Sequence, residues 1–401
     1  SDVYKRQVLM IILSINAGSS SLKFTGFDMP SEKVLISGVF ERIGIDGSFY
    51  TIKVNGEKIK KEAKLESHEA AVKILTEELI NYNIVKDLSE IKGVGHRVVH
   101  GGDKYANSTI INDDVTNTIR ELFHLAPLHN PANLMGIEAF QEYIPDATAV
   151  AVFDTGFPQS MPEENYMYAI PYEWYEKYGV RRYAFHGISH QYITEYMQNY
   201  LGKKDVNLIS CHLGNGSTIY SIKNGKCFDT SLSFSTNSGL IMGTRSGDID
   251  PFVIPYMMKE SGMTMEEILN DLNKKSGLLG ISGFSSDSRD IEDGIKSGNE
   301  RCELAQKLFV NRIVGYIAKL WCPLKDVDAI CFAGGIGENS IMTRKQIIDG
   351  LSALGIEIDE TANNVRGEFR LITKKGSKIP CYIVPTDEEV MIARDTFNLI
   401  K

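Results

Sequence analysis

The segment His212-Leu213-Gly214-Asn215-Gly216-Ser217 follows a short apolar run and leads into a second one, Thr218–Ile222. The same arrangement occurs early in the chain, where Asn16-Ala17-Gly18-Ser19-Ser20-Ser21 precedes Leu22–Phe27. Each arrangement predicts two strands joined by a turn rich in Gly and Ser, whose backbone N–H groups can bind phosphate oxygens. Two such units in one chain predict two similar domains that face each other across a cleft.

The composition limits the classes of protein to consider. The chain has 401 residues and a formal net charge of −9, with 43% hydrophobic and 24% charged residues. These values are typical of a globular protein and disfavour extended disorder. The negative charge disfavours general nucleic-acid binding, and the longest apolar run, Val8–Leu13, is too short to span a bilayer. We therefore expect neither a nucleic-acid nor a membrane partner.

The cysteines indicate the redox environment, and the first residues indicate where the native chain starts. The six cysteines form no Cys-x-x-Cys pair, which favours buried, reduced thiols in a cytoplasmic protein.

Residues 1–9 are polar except at their end, and Met10 is a plausible native start. We expect residues 1–9 to be an expression tag or a remnant of gene prediction.

Short apolar runs alternate with helical patterns along the chain, which predicts an α/β fold. Ser67–Ile80 has a helical period, and Thr264 with Glu267 forms a capping-box pattern before Met265–Leu272. Arg301–Trp321 is amphipathic, with Leu304, Leu308, Ile313 and Ile317 predicted on or near one face. The predicted buried strands are Val8–Ile15, Val94–Val99, Ala147–Phe153, Val206–Leu213, Ala329–Phe332 and Tyr382–Val384.

Several polar residues lie beside these strands or beside glycine. Arg97 and Arg245 adjoin strand ends or glycines, and Asp154 directly follows a predicted buried strand. The glycine-rich segment 333–339 adds a third turn, although it matches neither a Walker A loop nor a dinucleotide-binding turn. Each residue alone is equally typical of a structural role. Together they indicate phosphoryl transfer, which needs positive charge, carboxylates for a metal and phosphate-binding turns.

The histidines are concentrated, with seven of eight between residues 96 and 212. The pairs His96/His100 and His186/His190 have the spacing of metal ligands on a helix, but the flanking glycines and β-branched residues argue against helix there. Hydrogen-bonded structural histidines and a metal site both stay open at this point.

The longer motifs resemble the acetate kinases, within the acetate and sugar kinase/Hsp70/actin superfamily. The resemblance extends from Met10 to near the C-terminus and keeps the family order of motifs. Those motifs are Asn16–Ser21, Gly95–Gly102, Leu125–Pro131, Val152–Thr155, Phe185–Gly187, His212–Ser217, Met242–Arg245, Gly335–Asn339 and Pro385–Glu389.

The resemblance implies two actin-like (ribonuclease H-like) domains around an active-site cleft, in a homodimer. The implied N-terminal domain covers 10–156 and is rejoined by 386–401, and the nucleotide-binding C-terminal domain covers 157–385. The implied reaction is the reversible, direct transfer of the ATP γ-phosphate to a short-chain carboxylate, giving an acyl phosphate and ADP. Acetate is the expected acid.

The resemblance also implies roles for individual residues. Asn16 and Glu388 would hold Mg²⁺ or Mn²⁺, Asp154 would orient the substrate near the metal, and His186 would donate a hydrogen bond in the transition state. Arg97 and Arg245 would bind the carboxylate and the transferred phosphoryl group. The remaining implied contacts are Val99, Leu128, Phe185 and Thr236 with the acid, His212, Asn215 and Gly216 with the phosphates, and Asp287, Ser288, Arg289, Gly335, Ile336 and Asn339 with adenosine.

Three positions depart from the family pattern, one of them Asp387, which matches a common Asn beside Glu388 and would add negative charge near the metal. Thr236, in Phe234–Gly239, matches a proline that lines the methyl pocket in acetate kinases, and a hydroxyl there would suit a longer or more polar acid. Ser288 matches a frequent aromatic residue, so base stacking would be weaker and nucleotide preference looser. The alternatives are therefore a kinase for propionate, butyrate or a hydroxy acid, and, in another class, an actin-like ATP-binding protein without turnover.

Overall fold

The structure, a computed structural model, describes Met10–Lys401. The predicted tag, residues 1–9, lies outside this part. The described part of the chain forms two compact units, one of residues 10–157 with 387–401 and one of 158–386. The predicted boundaries differ from these by one residue at each crossing. Helices and strands are numbered below in chain order through both units.

The first unit is built on one mixed sheet of eight strands in the order β5-β4-β3-β2-β1-β6-β8-β7. The strands are β1 (Met10–Ala17), β2 (Ser21–Met29), β3 (Lys33–Glu41), β4 (Phe49–Val54), β5 (Glu57–Glu62), β6 (Ile91–Val98), β7 (Thr109–Ile110) and β8 (Thr148–Phe153). The helices are α1 (His68–Asn81), α2 (Asp113–Glu121), α3 (Asn130–Tyr143) and α15 (Glu388–Ile400). β1 pairs in parallel with β6, and β6 with β8, so their C-terminal ends lie at one edge of the sheet.

Helix α15 packs tightly on this sheet. A Cβ atom on Gly93 of β6 would lie 2.7 Å from Thr396 Cγ2 and 2.8 Å from Ile400 Cδ1. No side chain larger than a hydrogen atom fits there, so the glycine permits the contact. The last helix therefore completes the packing of the first unit.

The second unit is built on a mixed sheet in the order β11-β10-β9-β12-β14-β13. Its strands are β9 (Leu208–Leu213), β10 (Ser217–Lys223), β11 (Lys226–Thr230), β12 (Ala329–Ala333), β13 (Arg370–Leu371) and β14 (Cys381–Ile383). Its helices are α4 (Glu163–Tyr166), α5 (Tyr172–Tyr178), α6 (Gly187–Leu201), α7 (Val253–Ser261), α8 (Met265–Lys274), α9 (Gly277–Ser282), α10 (Ser288–Lys296), α11 (Glu300–Trp321), α12 (Gly334–Asn339), α13 (Ile341–Gly350) and α14 (Glu360–Asn363). β9, β12 and β14 run parallel, as β1, β6 and β8 do in the first unit.

The predicted α/β fold class is confirmed, and both Gly/Ser segments join antiparallel strands, β1 to β2 and β9 to β10. Thr264 and Glu267 form the predicted capping box at the start of α8. Each predicted strand overlaps an observed one, and no end is shifted by more than three residues. The predicted cleft stays a prediction.

Two predictions about helices were wrong. Residues 187–201 form a helix despite the glycine and β-branched residues, because His186 adopts a left-handed conformation at φ 61° and Gly187 then begins α6. On α11, Leu304 and Leu308 are 50% and 36% exposed, whereas Ile313 and Ile317 are buried. The buried face of α11 instead continues through Cys302, Ala305 and Phe309.

Most of the cysteines behave as predicted. Cys322 is exposed, and the other five, Cys211, Cys227, Cys302, Cys331 and Cys381, are buried and form no disulfide. Burial raises the pKa of the Cys331 thiol well above its usual range, so this side chain behaves as a small apolar group. None of the helices formed by residues 10–401 is both long and apolar enough to cross a bilayer.

Candidate active site

In the first unit, the ends of β1, β6 and β8 bring Asn16, Arg97 and Asp154 together. Arg97 donates to Asp154 Oδ2 from Nη2 at 2.5 Å and from Nε at 3.2 Å, and to Asn16 Oδ1 from Nη1 at 3.3 Å. Glu388, the first residue of α15, places Oε2 4.0 Å from Arg97 Nε. We call Asn16, Arg97, Asp154 and Glu388 the arginine–carboxylate cluster.

Charges within this cluster are strongly coupled. Burial alone would lower the pKa of Arg97, but the carboxylates of Asp154 and Glu388 raise it, and the net shift is upward. Burial, with the neighbouring Asp154 and Glu389, raises the pKa of Glu388 to about 7, although Arg97 acts in the opposite direction. Arg97 is therefore cationic at any physiological pH. A further positive charge nearby would stabilise the ionised form of Glu388.

Asp154 is buried, and its second oxygen, Oδ1, has no hydrogen-bond partner within residues 10–401. A buried carboxylate oxygen without a partner is costly, so a cation or an ordered water is expected to satisfy it. Asn16, Asp154 and Glu388 supply only oxygen atoms, which suit Mg²⁺ or Mn²⁺. The described residues contain no group of three or more His, Cys, Asp or Glu side chains placed to hold a metal, so water and substrate would complete the coordination.

Helix α3 fixes the segment that follows Arg97. Asn133 Oδ1 accepts from Val99 N at 3.0 Å, and Asn133 Nδ2 donates to Ala17 O at 2.8 Å. Asn130 Oδ1 accepts from His100 N at 3.1 Å. The motif around Asn130 therefore orients the backbone next to Arg97. Val99 is buried, but Leu128, also predicted to contact the acid, is 58% exposed.

In the second unit, the turn between β9 and β10 lies against two predicted catalytic side chains. A Cβ atom on Gly216 would lie 3.4 Å from His186 Nε2 and 3.8 Å from Arg245 Nη1. Arg245 Nη1 donates to Thr236 O at 3.2 Å, and burial lowers the pKa of Arg245. No carboxylate within the described part of the chain forms an ion pair with Arg245, so its charge is available to an anion.

The histidines of this unit have different surroundings. His190 is buried, with Nδ1 2.7 Å from Ser210 Oγ and Nε2 2.7 Å from Thr218 Oγ1, and burial keeps its pKa well below 6.5. Both ring nitrogens are used, so His190 is structural and is unsuited to a metal. The His186 and His212 rings lie 4.5 Å apart, and His212 adjoins the Gly214 end of the turn.

His212 and Gly216 do not line the cavity of about 610 Å³ in the second unit, but the other seven predicted nucleotide-binding residues do. They are Asn215, Asp287, Ser288, Arg289, Gly335, Ile336 and Asn339. Gly214, from the predicted phosphate-binding turn, also lines it, whereas the sequence did not indicate the lining residues Ser286, Glu292, Ser340 and Arg366. Glu292 accepts from Ser340 Oγ, which links two of the missed residues to each other. Arg366 donates to Asn339 O at 2.6 Å and so supports a predicted residue.

Comparison with known proteins gives the family. A sequence model described as the acetokinase family matches residues 11–394. This chain belongs to the acetokinase family. It is 54% identical over 392 residues to acetate kinase of Bacillus subtilis (strain 168), which covers 97% of this chain and 99% of the relative.

Two solved structures are similar to this chain over nearly its whole length. The structure of Porphyromonas gingivalis acetate kinase matches with a TM-score of 0.93 and 44% identity, over 98% of this chain and 100% of that one. A propionate kinase from Francisella tularensis matches with a TM-score of 0.93 and 39% identity, over 97% and 100%. The predicted family, and with it the class of phosphotransferase with a carboxyl group as acceptor, is confirmed.

Proposed function

We propose that this acetokinase transfers the γ-phosphate of ATP reversibly to acetate, giving acetyl phosphate and ADP. In this step an acetate oxygen bonds to the γ-phosphorus while the bond from that phosphorus to the bridging oxygen of ADP breaks. The observation that carries the proposal is Arg245, a partly buried cation without a carboxylate partner among residues 10–401, next to His186 and the Gly216 turn. A cation so placed suits the negative charge of a transferred phosphoryl group.

The acid needs no general base, because a carboxylate is already ionised at pH 7. Its approach to a phosphate instead requires that the repulsion between two anions be offset. We assign Arg97 to the acid carboxylate and Arg245, with a hydrogen bond from His186, to the moving phosphoryl group. Val99, Phe185 and Thr236 are assigned to the rest of the acid, and the exposed Leu128 is the weakest member of that set.

We assign Asn16 and Glu388 to Mg²⁺ or Mn²⁺, and Asp154 to orienting the acid near it. When bound, the cation would neutralise phosphate charge and orient the donor. What supports this assignment is the oxygen-only donor set and the buried, unpartnered Oδ1 of Asp154. The arginine–carboxylate cluster holds these oxygens in place through Arg97.

We assign the cavity of the second unit to ATP and ADP. The adenosine would contact the residues of α10 and α12 that line the cavity, and the phosphates would lie towards His212, Asn215 and Gly216. Ser288 offers no aromatic ring for base stacking, so GTP deserves testing as a donor beside ATP.

We infer a homodimer in the cytoplasm. Large apolar side chains on three helices of the second unit support self-association, because exposed apolar surface of this kind marks protein interfaces. They include Trp174 on α5, Val253 and Tyr256 on α7, and Leu269 on α8, each at least 42% exposed.

A second candidate is the same reaction on a longer or more polar acid. It is favoured by Thr236, whose carbonyl holds Arg245, and by the likeness to the propionate kinase structure. The test is an acyl-hydroxamate assay over acetate, propionate, butyrate and hydroxy acids, with ATP, GTP and pyrophosphate as donors. Highest kcat/KM with acetate and ATP supports the first candidate. Absence of turnover with every acid would overturn both and favour an ATP-binding protein without turnover.

A further inference from the structure

Two hydroxyl groups, those of Ser189 and Thr386, connect His212 to the end of the second unit. His212 Nδ1 lies 2.8 Å from Ser189 Oγ on α6, and Ser189 Oγ lies 2.8 Å from Thr386 Oγ1. Ser189 is fully buried. Thr386 is the last residue of the second unit before the chain returns to the first. These distances are those of normal hydrogen bonds between hydroxyl groups and an imidazole.

The other nitrogen of His212 lies beside the nucleotide cavity. A Cβ atom on Gly214 would lie 3.8 Å from His212 Nε2 and 3.8 Å from Gly335 N. Gly214 and Gly335 both line the cavity. The ring therefore has one nitrogen next to the hydroxyl pair and the other on the side of the turns assigned to phosphate.

The direction of these hydrogen bonds decides what His212 can offer to a phosphate. A neutral imidazole has one donor and one acceptor nitrogen. If Thr386 donates to Ser189 and Ser189 donates to Nδ1, the proton of the ring lies on Nε2, which can then donate to an anionic oxygen. The opposite tautomer would present a lone pair to the phosphate and repel it.

We propose that Ser189 and Thr386 are positioning residues that hold His212 in the tautomer with the proton on Nε2, so that it donates to a nucleotide phosphate. The proposal rests on the proposed function, because it takes the cavity as the nucleotide site. Neither residue touches the cavity itself, so each acts through His212.

Glu338 fixes this pair to a wall of the cavity. Its Oε1 accepts from Thr386 N at 3.1 Å and from Gly334 N at 2.9 Å. Gly334 begins α12, whose Gly335, Ile336 and Asn339 line the cavity. One carboxylate oxygen therefore orients both Thr386 and the glycine-rich turn. This shared contact fixes the position of the hydroxyl pair relative to the cavity wall.

The test compares hydroxyl-deleting variants with a matched control. Ser189→Ala and Thr386→Val remove one hydroxyl each, and Thr386→Ser retains it. Ser210→Ala removes the equivalent hydroxyl from Nδ1 of the structural His190. For each variant, MgADP binding is measured by calorimetry, KM for ATP and kcat with acetate by steady-state kinetics, and Tm by thermal unfolding.

We expect Ser189→Ala to weaken MgADP binding and raise KM for ATP by about tenfold or more, the scale of one lost charge-assisted hydrogen bond. Thr386→Val should act in the same direction, Thr386→Ser should restore most of the affinity, and Ser210→Ala should lower Tm without weakening MgADP binding. The proposal fails if Ser189→Ala and Thr386→Val both bind MgADP within twofold of the wild type. It also fails if Ser210→Ala weakens binding as much as Ser189→Ala.

These outcomes are separate from those of the proposed function. A wild-type protein that binds MgADP but phosphorylates no acid would overturn the proposed function alone. In that case a selective loss of MgADP binding in Ser189→Ala would still support the positioning role.

Discussion

Arg97 donates two hydrogen bonds to a single oxygen of Asp154, Oδ2, and leaves the buried Oδ1 of that carboxylate without a partner in residues 10–401. The pair thus holds the guanidinium in one orientation while one carboxylate oxygen stays available. Both properties are useful where an anion and a cation must bind side by side.

Replacing Asp154 by Asn should lower kcat for acetate by about 10²-fold or more, because the amide weakens the anchor of Arg97 and removes a charge from the site. The measurement is kcat at saturating substrates over a range of Mg²⁺ concentrations. Glu78→Gln is the control, since Glu78 is also a buried carboxylate and accepts from Tyr50 and Lys61, both at 2.9 Å. It should lower Tm and leave kcat unchanged. Equal kcat in Asp154→Asn and wild type would contradict the assignment.

Replacing Arg245 by Ala should lower kcat by roughly 10²–10⁴-fold, the scale of losing a preorganised group that stabilises the transition state. Added guanidinium ion should restore part of the lost rate, because it has the shape and charge of the deleted group and can occupy the space that the deletion leaves. Arg245→Lys should recover less than guanidinium does, since an ammonium cannot reproduce the planar donor pattern. Wild-type turnover in Arg245→Ala would rule out the assigned role.

Gly243 leaves room for Asn215, a side chain that we assign to the nucleotide. A Cβ atom there would overlap Asn215 Oδ1 and lie 3.0 Å from Ser286 O. Gly243→Ala should therefore displace Asn215 and lower kcat/KM for ATP by up to about 10²-fold, the scale of a small misplacement at an active site. Gly315→Ala in α11, where nothing lies within 4 Å, should leave kcat/KM unchanged. An unaffected kcat/KM for ATP in Gly243→Ala would show that Asn215 is not needed there.

His96 should make the protein sensitive to acid. It is buried, Nε2 has no hydrogen-bond partner in the described residues, and burial lowers its pKa from 6.5 to about 3. Below pH 6.5 the unfolded chain binds a proton that the folded chain does not, so stability falls as the pH drops from 6.5 towards 3. The loss from this residue between pH 8 and pH 5 is about 2 kcal/mol.

His96→Leu should therefore flatten the dependence of Tm on pH between 7 and 5. His124→Leu is the control, because His124 lies at the surface, and its Tm profile should follow that of the wild type. Parallel profiles for wild type and His96→Leu would show that other groups set the acid sensitivity.

Much of the architecture follows from local patterns. Gly/Ser turns after apolar runs predicted both hairpins, and the position of Asp154 after a buried strand predicted its place at a sheet edge. The start of α6 was missed because His186 adopts a left-handed conformation that only the surrounding packing sustains. Glu292 lies one turn after Ser288 on α10, so a helical period there could have indicated it. Arg366 reaches the cavity from a distant part of the chain, and no short-range pattern reports such proximity. The positions of Ser189 and Thr386 were missed for the same reason.

The placement of α15 has a consequence for biosynthesis. This helix follows the whole second unit in the chain, yet it packs on β6 and contributes Glu388 to the arginine–carboxylate cluster. During translation, α15 cannot pack on the sheet of the first unit until the second unit has been synthesised. The face of the sheet at Gly93 stays uncovered until then. The nascent chain therefore cannot complete the arginine–carboxylate cluster before the second unit has been translated.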